Sequence, residues 1–223
     1  MTSFEKKNNL LFRIISGLLY AITFLYIIQE NILIPFYVFI IILMLGSLYE
    51  FLKINQKFKQ TIIFEWCFKT LGFIYIITPF LLLIQIKKLE HGEMLLLILI
   101  LHVWATDIGG YIVGSLVGKR KLSNISPNKT WEGIIGSVLF CLIVSILLKQ
   151  STEIMEVINI NFMLLSFIIC ISSITGDLIV SKIKRINNRK NSGYFLPGHG
   201  GVLDRLDSLL MATPTYFVIL LIS

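Results

Sequence analysis

The chain has 223 residues, of which 56% are hydrophobic and 15% charged, with a formal net charge of +7 and a mean hydropathy of +0.82. A soluble domain is about 45–50% apolar and about 25% charged, so this composition excludes a water-soluble globular fold and points to an all-α, polytopic membrane protein. The positive balance fits the excess of Lys and Arg in cytoplasmic loops and calls for no nucleic acid. About seven helices of ~20 residues use most of the chain, leaving one membrane domain over 1–223 and no room for a separate soluble one.

Hydropathy places spans near 11–29, 32–50, 66–86, 94–117, 133–148, 161–180 and 206–222. The first follows Lys6 and Lys7 but is closed by no small-residue cleavage site, so it reads as a retained span. Residues 1–100 carry generic apolar spans, and 101–223 carry nearly all the polar chemistry. Cys67, Cys141 and Cys170 lie in apolar runs without CxxC spacing and read as small hydrophobes. Glu65 and Lys69, at i and i+4, pair at the membrane boundary.

With seven spans and a cytoplasmic N-terminus, sixteen Lys and Arg fall on the inside and three, Lys87, Lys88 and Lys149, on the outside; Lys69 lies within the third span. This is a strong positive-inside signal. It puts the loops 118–132 and 181–205 on the same cytoplasmic face, where a soluble, phosphate-bearing substrate has access. The short chain, without targeting signals, fits a bacterial inner membrane.

Polar residues within the later spans are costly at membrane depth and stand as functional candidates. Asp107 shares a helix face with Tyr111 at i+4; it either supports a site or packs by bonding Tyr111. Lys119, Arg120, Lys121 and Lys129 fill the first loop, as an orientation signal or as phosphate ligands; Lys129-Thr130-Trp131-Glu132 at a helix start favours the second reading for Lys129. Asp177, Ser181 and Lys184 share one helical face, either for chemistry or as an ion pair holding the helix end. Gly198-His199-Gly200-Gly201 precedes the last span, and a glycine turn feeding a helix N-terminus is a ready anion site. His199 serves there as an acid, a phosphate donor or a loop-ordering group. Asp204 and Asp207, at i and i+3, share one face of the last helix. They either complement its dipole or join Asp177 in a three-carboxylate site for Mg²⁺, which takes one or two carboxylates and leaves room for phosphate oxygens. Arg205 between them points elsewhere, toward phosphate.

The stretch Gly176-Asp177-Leu178, Ser181, Lys184-Arg185, Lys190-Asn191, Pro197 to Gly201 and Asp204-Arg205-Leu206-Asp207-Ser208 resembles the signature of the phosphatidate cytidylyltransferases, or CDP-diacylglycerol synthases. Asp107 to Gly136, with Ser126-Pro127-Asn128-Lys129-Thr130-Trp131-Glu132-Gly133, is also similar, so the likeness covers roughly residues 100–210. It implies that CTP and phosphatidate give CDP-diacylglycerol and pyrophosphate within the lipid bilayer. By that resemblance Asp177, Ser181, Lys184, Asp204 and Asp207 form the catalytic set, with Asp177, Asp204 and Asp207 on Mg²⁺ and a second cation such as K⁺ left open. Lys129, Arg185, His199, Gly200, Gly201 and Arg205 bind phosphate, and Asp107, Tyr111 and Asn191 support them. Two positions depart from the pattern: Asn191 stands where the family has Asp, and Val180 where it has Glu. A homodimer is compatible with the sequence, since seven spans make a thin wall around a lipid groove, and the oligomeric state stays open. The alternatives are a CTP-dependent polyprenol or phytol kinase, a transporter or a non-catalytic scaffold. A transporter would spread polar residues along a whole pathway, whereas here they crowd at one face.

Overall fold

A computed structural model describes residues 17, 19, 21–30, 32–55, 62–123, 125–150, 161–189, 191–193 and 200–222. Six helices are long and apolar enough to cross a membrane: α1 (Leu33–Asn55), α2 (Ile62–Lys88), α3 (Gly92–Val117), α4 (Trp131–Lys149), α5 (Phe162–Ile186) and α6 (Leu203–Ile222). A further helical segment ends at Gln29, and the start of the first expected span lies outside the described residues, so six of the seven expected spans are counted among the described residues. The protein is an all-α, multi-pass membrane protein.

The helices overrun the spans read from hydropathy. Apolarity marks only the part of a helix that meets lipid, while backbone hydrogen bonding carries the helix on into the polar boundary. α1 therefore runs on to Asn55 and α5 to Ile186, taking Glu50, Ser181 and Lys184 into helical frames. The starts of α4 and α5 are set by side-chain caps. Thr130 Oγ1 accepts the Gly133 N–H at 3.0 Å and Asn161 Oδ1 accepts that of Met163 at 3.0 Å.

α3 packs most extensively on α4, and α5 on α6. Glycines bring α3 and α4 close: a Cβ at Gly133 would sit 2.9 Å from the Gly110 carbonyl, and one at Gly109 2.8 Å from the Phe140 Cβ. α6 touches α1, α2, α3 and α5. The apolar core gathers Phe36, Phe51, Phe80, Leu99, Leu165 and Tyr216. Deep between α3, α4 and α5, His102 Nδ1 lies 2.7 Å from the Ile98 carbonyl, and Nε2 lies 3.0 Å from the hydroxyls of both Ser145 and Ser166. Lys69 and Glu65 pair at 2.5 Å, as their spacing predicts.

Candidate active site

At one end of the bundle, α3, α5 and α6 close on a cavity of about 370 Å³ whose walls include Asp107, Asp177, Asp204, Arg205 and Asp207. The loop between α3 and α4 supplies another wall. It folds as a small hairpin: Lys121 bridges Thr130, the Leu122 N–H donates to the Lys129 carbonyl at 2.8 Å and the Trp131 N–H to that of Arg120 at 3.0 Å. Glu132 folds back and accepts the N–H groups of Lys119 and Arg120 at 3.1–3.3 Å. The hairpin thereby aims Lys129 into the cavity, where its Nζ meets Asp177 Oδ2 at 2.5 Å.

Asp177 is held on its other side by Ser181, whose hydroxyl donates to Oδ1 at 3.1 Å. It shares the cavity wall with Asp207 from α6. Asp207 faces both Asp177 and Asp107, and Asp107 Oδ1 accepts the Ser208 hydroxyl at 3.0 Å. Three carboxylates thus face one another, with Lys129 and Arg205 acting on Asp107 and Lys184 on Asp207. Tyr75 on α2 has a buried hydroxyl without a hydrogen-bond partner among the described residues, within electrostatic reach of Asp207 and Asp177.

Several pairings differ from those that spacing suggests. Lys184 shares a helix face with Asp177, yet its Nζ goes to Asp204 Oδ1 at 2.6 Å. Asp177 takes its cation from the other loop instead. Asp107 bonds Ser208 and not Tyr111, whose side chain is 77% exposed at the cavity wall. Asp204 Oδ2 accepts the N–H groups of Ser192 at 2.8 Å and Gly201 at 3.1 Å. The next two N–H groups, of Val202 and Leu203, each donate to Glu50 at 2.9 Å. The N–H groups of Gly201, Val202 and Leu203 are therefore directed at the protein's own carboxylates. Gly200 adopts φ +88°, and a Cβ there would lie 2.8 Å from Asp204 Oδ2, so this position calls for glycine. Arg185 donates to the carbonyls of Ile125 and Arg189 at 3.2 Å, tying two loops together outside the cavity wall. Asn191 is exposed. Lys190 and Pro197 to His199 lie outside the described residues.

Glu50 was legible in the sequence only as the edge of an apolar run. The signal that could have marked it is its acidic charge one turn inside α1, since buried acids at membrane depth need partners.

The donor set admits a divalent cation. Among the described residues no three carboxylate, imidazole or thiol groups converge to hold a metal by themselves. Asp177 and Asp207 line the same cavity, and two carboxylates are the complement Mg²⁺ uses when phosphate and water fill its other positions.

A family model described as the cytidylyltransferase family matches residues 1–223. The chain belongs to the cytidylyltransferase family. It is 34% identical over 222 residues to the phosphatidate cytidylyltransferase of Rickettsia bellii (strain RML369-C), covering 96% of this chain and 92% of that protein. To the phosphatidate cytidylyltransferase of Bacillus subtilis (strain 168) it is 38% identical over 169 residues, or 74% of this chain and 62% of the relative. To that of Haemophilus influenzae (strain ATCC 51907 / DSM 11121 / KW20 / Rd) it is 41% identical over 130 residues, or 56% and 45%. The chain thus spans less than two thirds of the length of the Bacillus and Haemophilus relatives.

Proposed function

We propose that the chain is a phosphatidate cytidylyltransferase, joining CTP and phosphatidate to give CDP-diacylglycerol and pyrophosphate. The observation that carries this reading is the facing trio Asp107, Asp177 and Asp207, set with Lys129 and Arg205 around one cavity at one end of a membrane bundle. A nucleotide triphosphate suits the cations and carboxylates there, and a lipid phosphate can approach along the apolar helices beside it. The relatives bear the corresponding name.

In this mechanism a phosphatidate phosphate oxygen attacks the α-phosphorus of CTP in line, and pyrophosphate leaves. No nucleophilic side chain is needed, because the attacking phosphate is already an anion. Lys129 and Arg205 bind and orient phosphates, and Lys184, seated on Asp204, adds positive field beside Asp207. Ser181 holds Asp177 to one rotamer. Asp177 and Asp207 would hold Mg²⁺, with Asp204 beside them, and the ion would neutralise charge developing on the phosphates. The excess of Lys and Arg at this end, Lys119 to Lys121, Lys129 and Lys182 to Arg185 among them, supports a cytoplasmic site in a bacterial inner membrane.

The test is product analysis with purified protein, phosphatidate, Mg²⁺ and CTP labelled at the α-phosphate. Label in the lipid fraction, lost on chelation, is the expected result. In a parallel assay with CTP labelled at the γ-phosphate, label reaching lipid there and not from the α-phosphate would make the protein a lipid kinase and overturn the proposal.

A further inference from the structure

Glu50 grips the start of α6 from another helix. It lies near the end of α1 and is 3% exposed. Its carboxylate spans two successive backbone donors: the Val202 N–H donates to Oε1 and the Leu203 N–H to Oε2, both at 2.9 Å. The Ser192 hydroxyl donates to Oε2 at 2.7 Å. The surrounding chain is cut to admit it, since a Cβ on Gly193 would run into Oε1, and one on Gly201 into Oε2 and the Ser192 Oγ. Among the described residues no cation pairs with it. Three donors and the positive end of α6 hold the charge instead.

The same turn is gripped from its other side. Asp204 Oδ2 accepts the N–H groups of Ser192 and Gly201, which flank the Glu50 socket. A second strut runs in parallel, as the buried Asn187 side chain donates to Asn55 Oδ1 at 2.9 Å. Arg205 and Asp207 follow within the first helical turns, so any slip of this turn moves both. An apolar residue at position 50 would fill the space but leave three buried donors unpaired and the turn free to shift.

We infer that Glu50 is a positioning residue for the reaction: it fixes the first turn of α6, and with it the placing of Asp207 against Asp177 and of Arg205 in the cavity. This rests on the cytidylyl-transfer reading above. In purified Glu50→Ala, kcat falls about 10- to 100-fold, as small misplacements at reacting centres do, while KM for CTP changes less than about threefold. Amide hydrogen exchange over 200–206 accelerates about tenfold, since local opening is freed. Glu50→Gln, which keeps the length and one acceptor oxygen, recovers part of kcat. Lys87→Met, which removes a buried charge at the other end of the bundle, keeps wild-type kcat per folded molecule. An unchanged kcat in folded Glu50→Ala, or an equal loss in Lys87→Met, would falsify the assignment. If Glu50→Ala does not fold, Glu50→Gln and Ser192→Ala carry the test: each lowers kcat severalfold, and wild-type kcat in both overturns it. An inactive wild type removes the reaction reading, whereas unchanged exchange at 200–206 removes the clamp, so the two failures are told apart.

Discussion

The molecule has a buried charged clamp at each end, and they are near mirror images. Glu50 is an anion set on the N–H groups that open α6. Lys87 is a cation set on the carbonyls that close the helical segment ending at Gln29: its Nζ donates to Ile28 O at 2.5 Å and to Glu30 O at 3.1 Å, and it pairs with Glu93 at 2.8 Å, its own side chain 1% exposed. Both satisfy orphan groups at a helix end with the charge that the helix dipole favours. What differs is the cargo. The turn that Glu50 holds carries Asp204, Arg205 and Asp207 into the cavity. No described residue of the segment that Lys87 holds lines the cavity, and the hollow beside Lys87 is lined by Gln29, His91, Glu93, Gly92 and apolar residues, without the facing carboxylates. A buried charge in a membrane protein therefore marks function only through what the clamped backbone presents.

The largest effect that should separate the two ends comes from the carboxylates themselves. Asp207→Asn and Asp177→Asn each remove a charge from the cavity wall, and each is expected to cut kcat about 10²- to 10³-fold with membrane insertion intact. Steady-state turnover against detergent-solubilised folded protein measures this. Near-wild-type rates in either variant would dissolve the contrast between the ends.

How much of this was readable from residues follows from what each signal depends on. The six spans were legible because lipid exposure demands long apolar runs; the starts at Trp131 and Phe162, which the Thr130 and Asn161 caps set, fall within two residues of the 133 and 161 that hydropathy places. Their ends were less so, since hydropathy stops where lipid stops and α1 does not. Asp177, Ser181, Asp204 and Asp207 stood out as polar groups beside apolar spans. Their partners did not: Lys129 reaches Asp177 only because the 118–130 hairpin folds back, and Lys184 turns to Asp204 only because α6 lies against α5. Glu50 was hidden because its partners lie more than 140 residues away in sequence.

Lys129→Ala sharpens the polar end further. Removing its ion pair leaves Asp177 facing Asp207 and Asp107 with less compensation, and removes a phosphate ligand. KM for CTP should rise about tenfold, the scale of one lost charge-assisted contact, with a smaller drop in kcat. A change in KM for phosphatidate alone would place Lys129 on the lipid side of the cavity.

At the opposite end, Lys87→Met tests stability without chemistry. It strips two carbonyls and Glu93 of their donor, a loss of about 1–3 kcal/mol, which for a chain of this size is about 5 °C in Tm. A thermal-shift assay in detergent reads it, and turnover of the folded fraction should stay at the wild-type value. A small fall in turnover would mean that the two ends are coupled through the bundle, whereas a fall equal to that of Glu50→Ala would remove the assignment of Glu50.

The smallest effect is expected at Asn191. The motif to which this chain is similar has Asp there, and a lost carboxylate would cripple the site if it touched the reacting groups. Here the residue is exposed, outside the cavity wall, and its neighbour Ser192 delivers the contacts, donating its N–H to Asp204 and its hydroxyl to Glu50. At an exposed position a substitution changes little, so Asn191→Asp should alter kcat/KM by less than about twofold. A large gain would show that the loop brings position 191 to the substrate during turnover, and that the clamp at Glu50 holds one of two working positions of the turn.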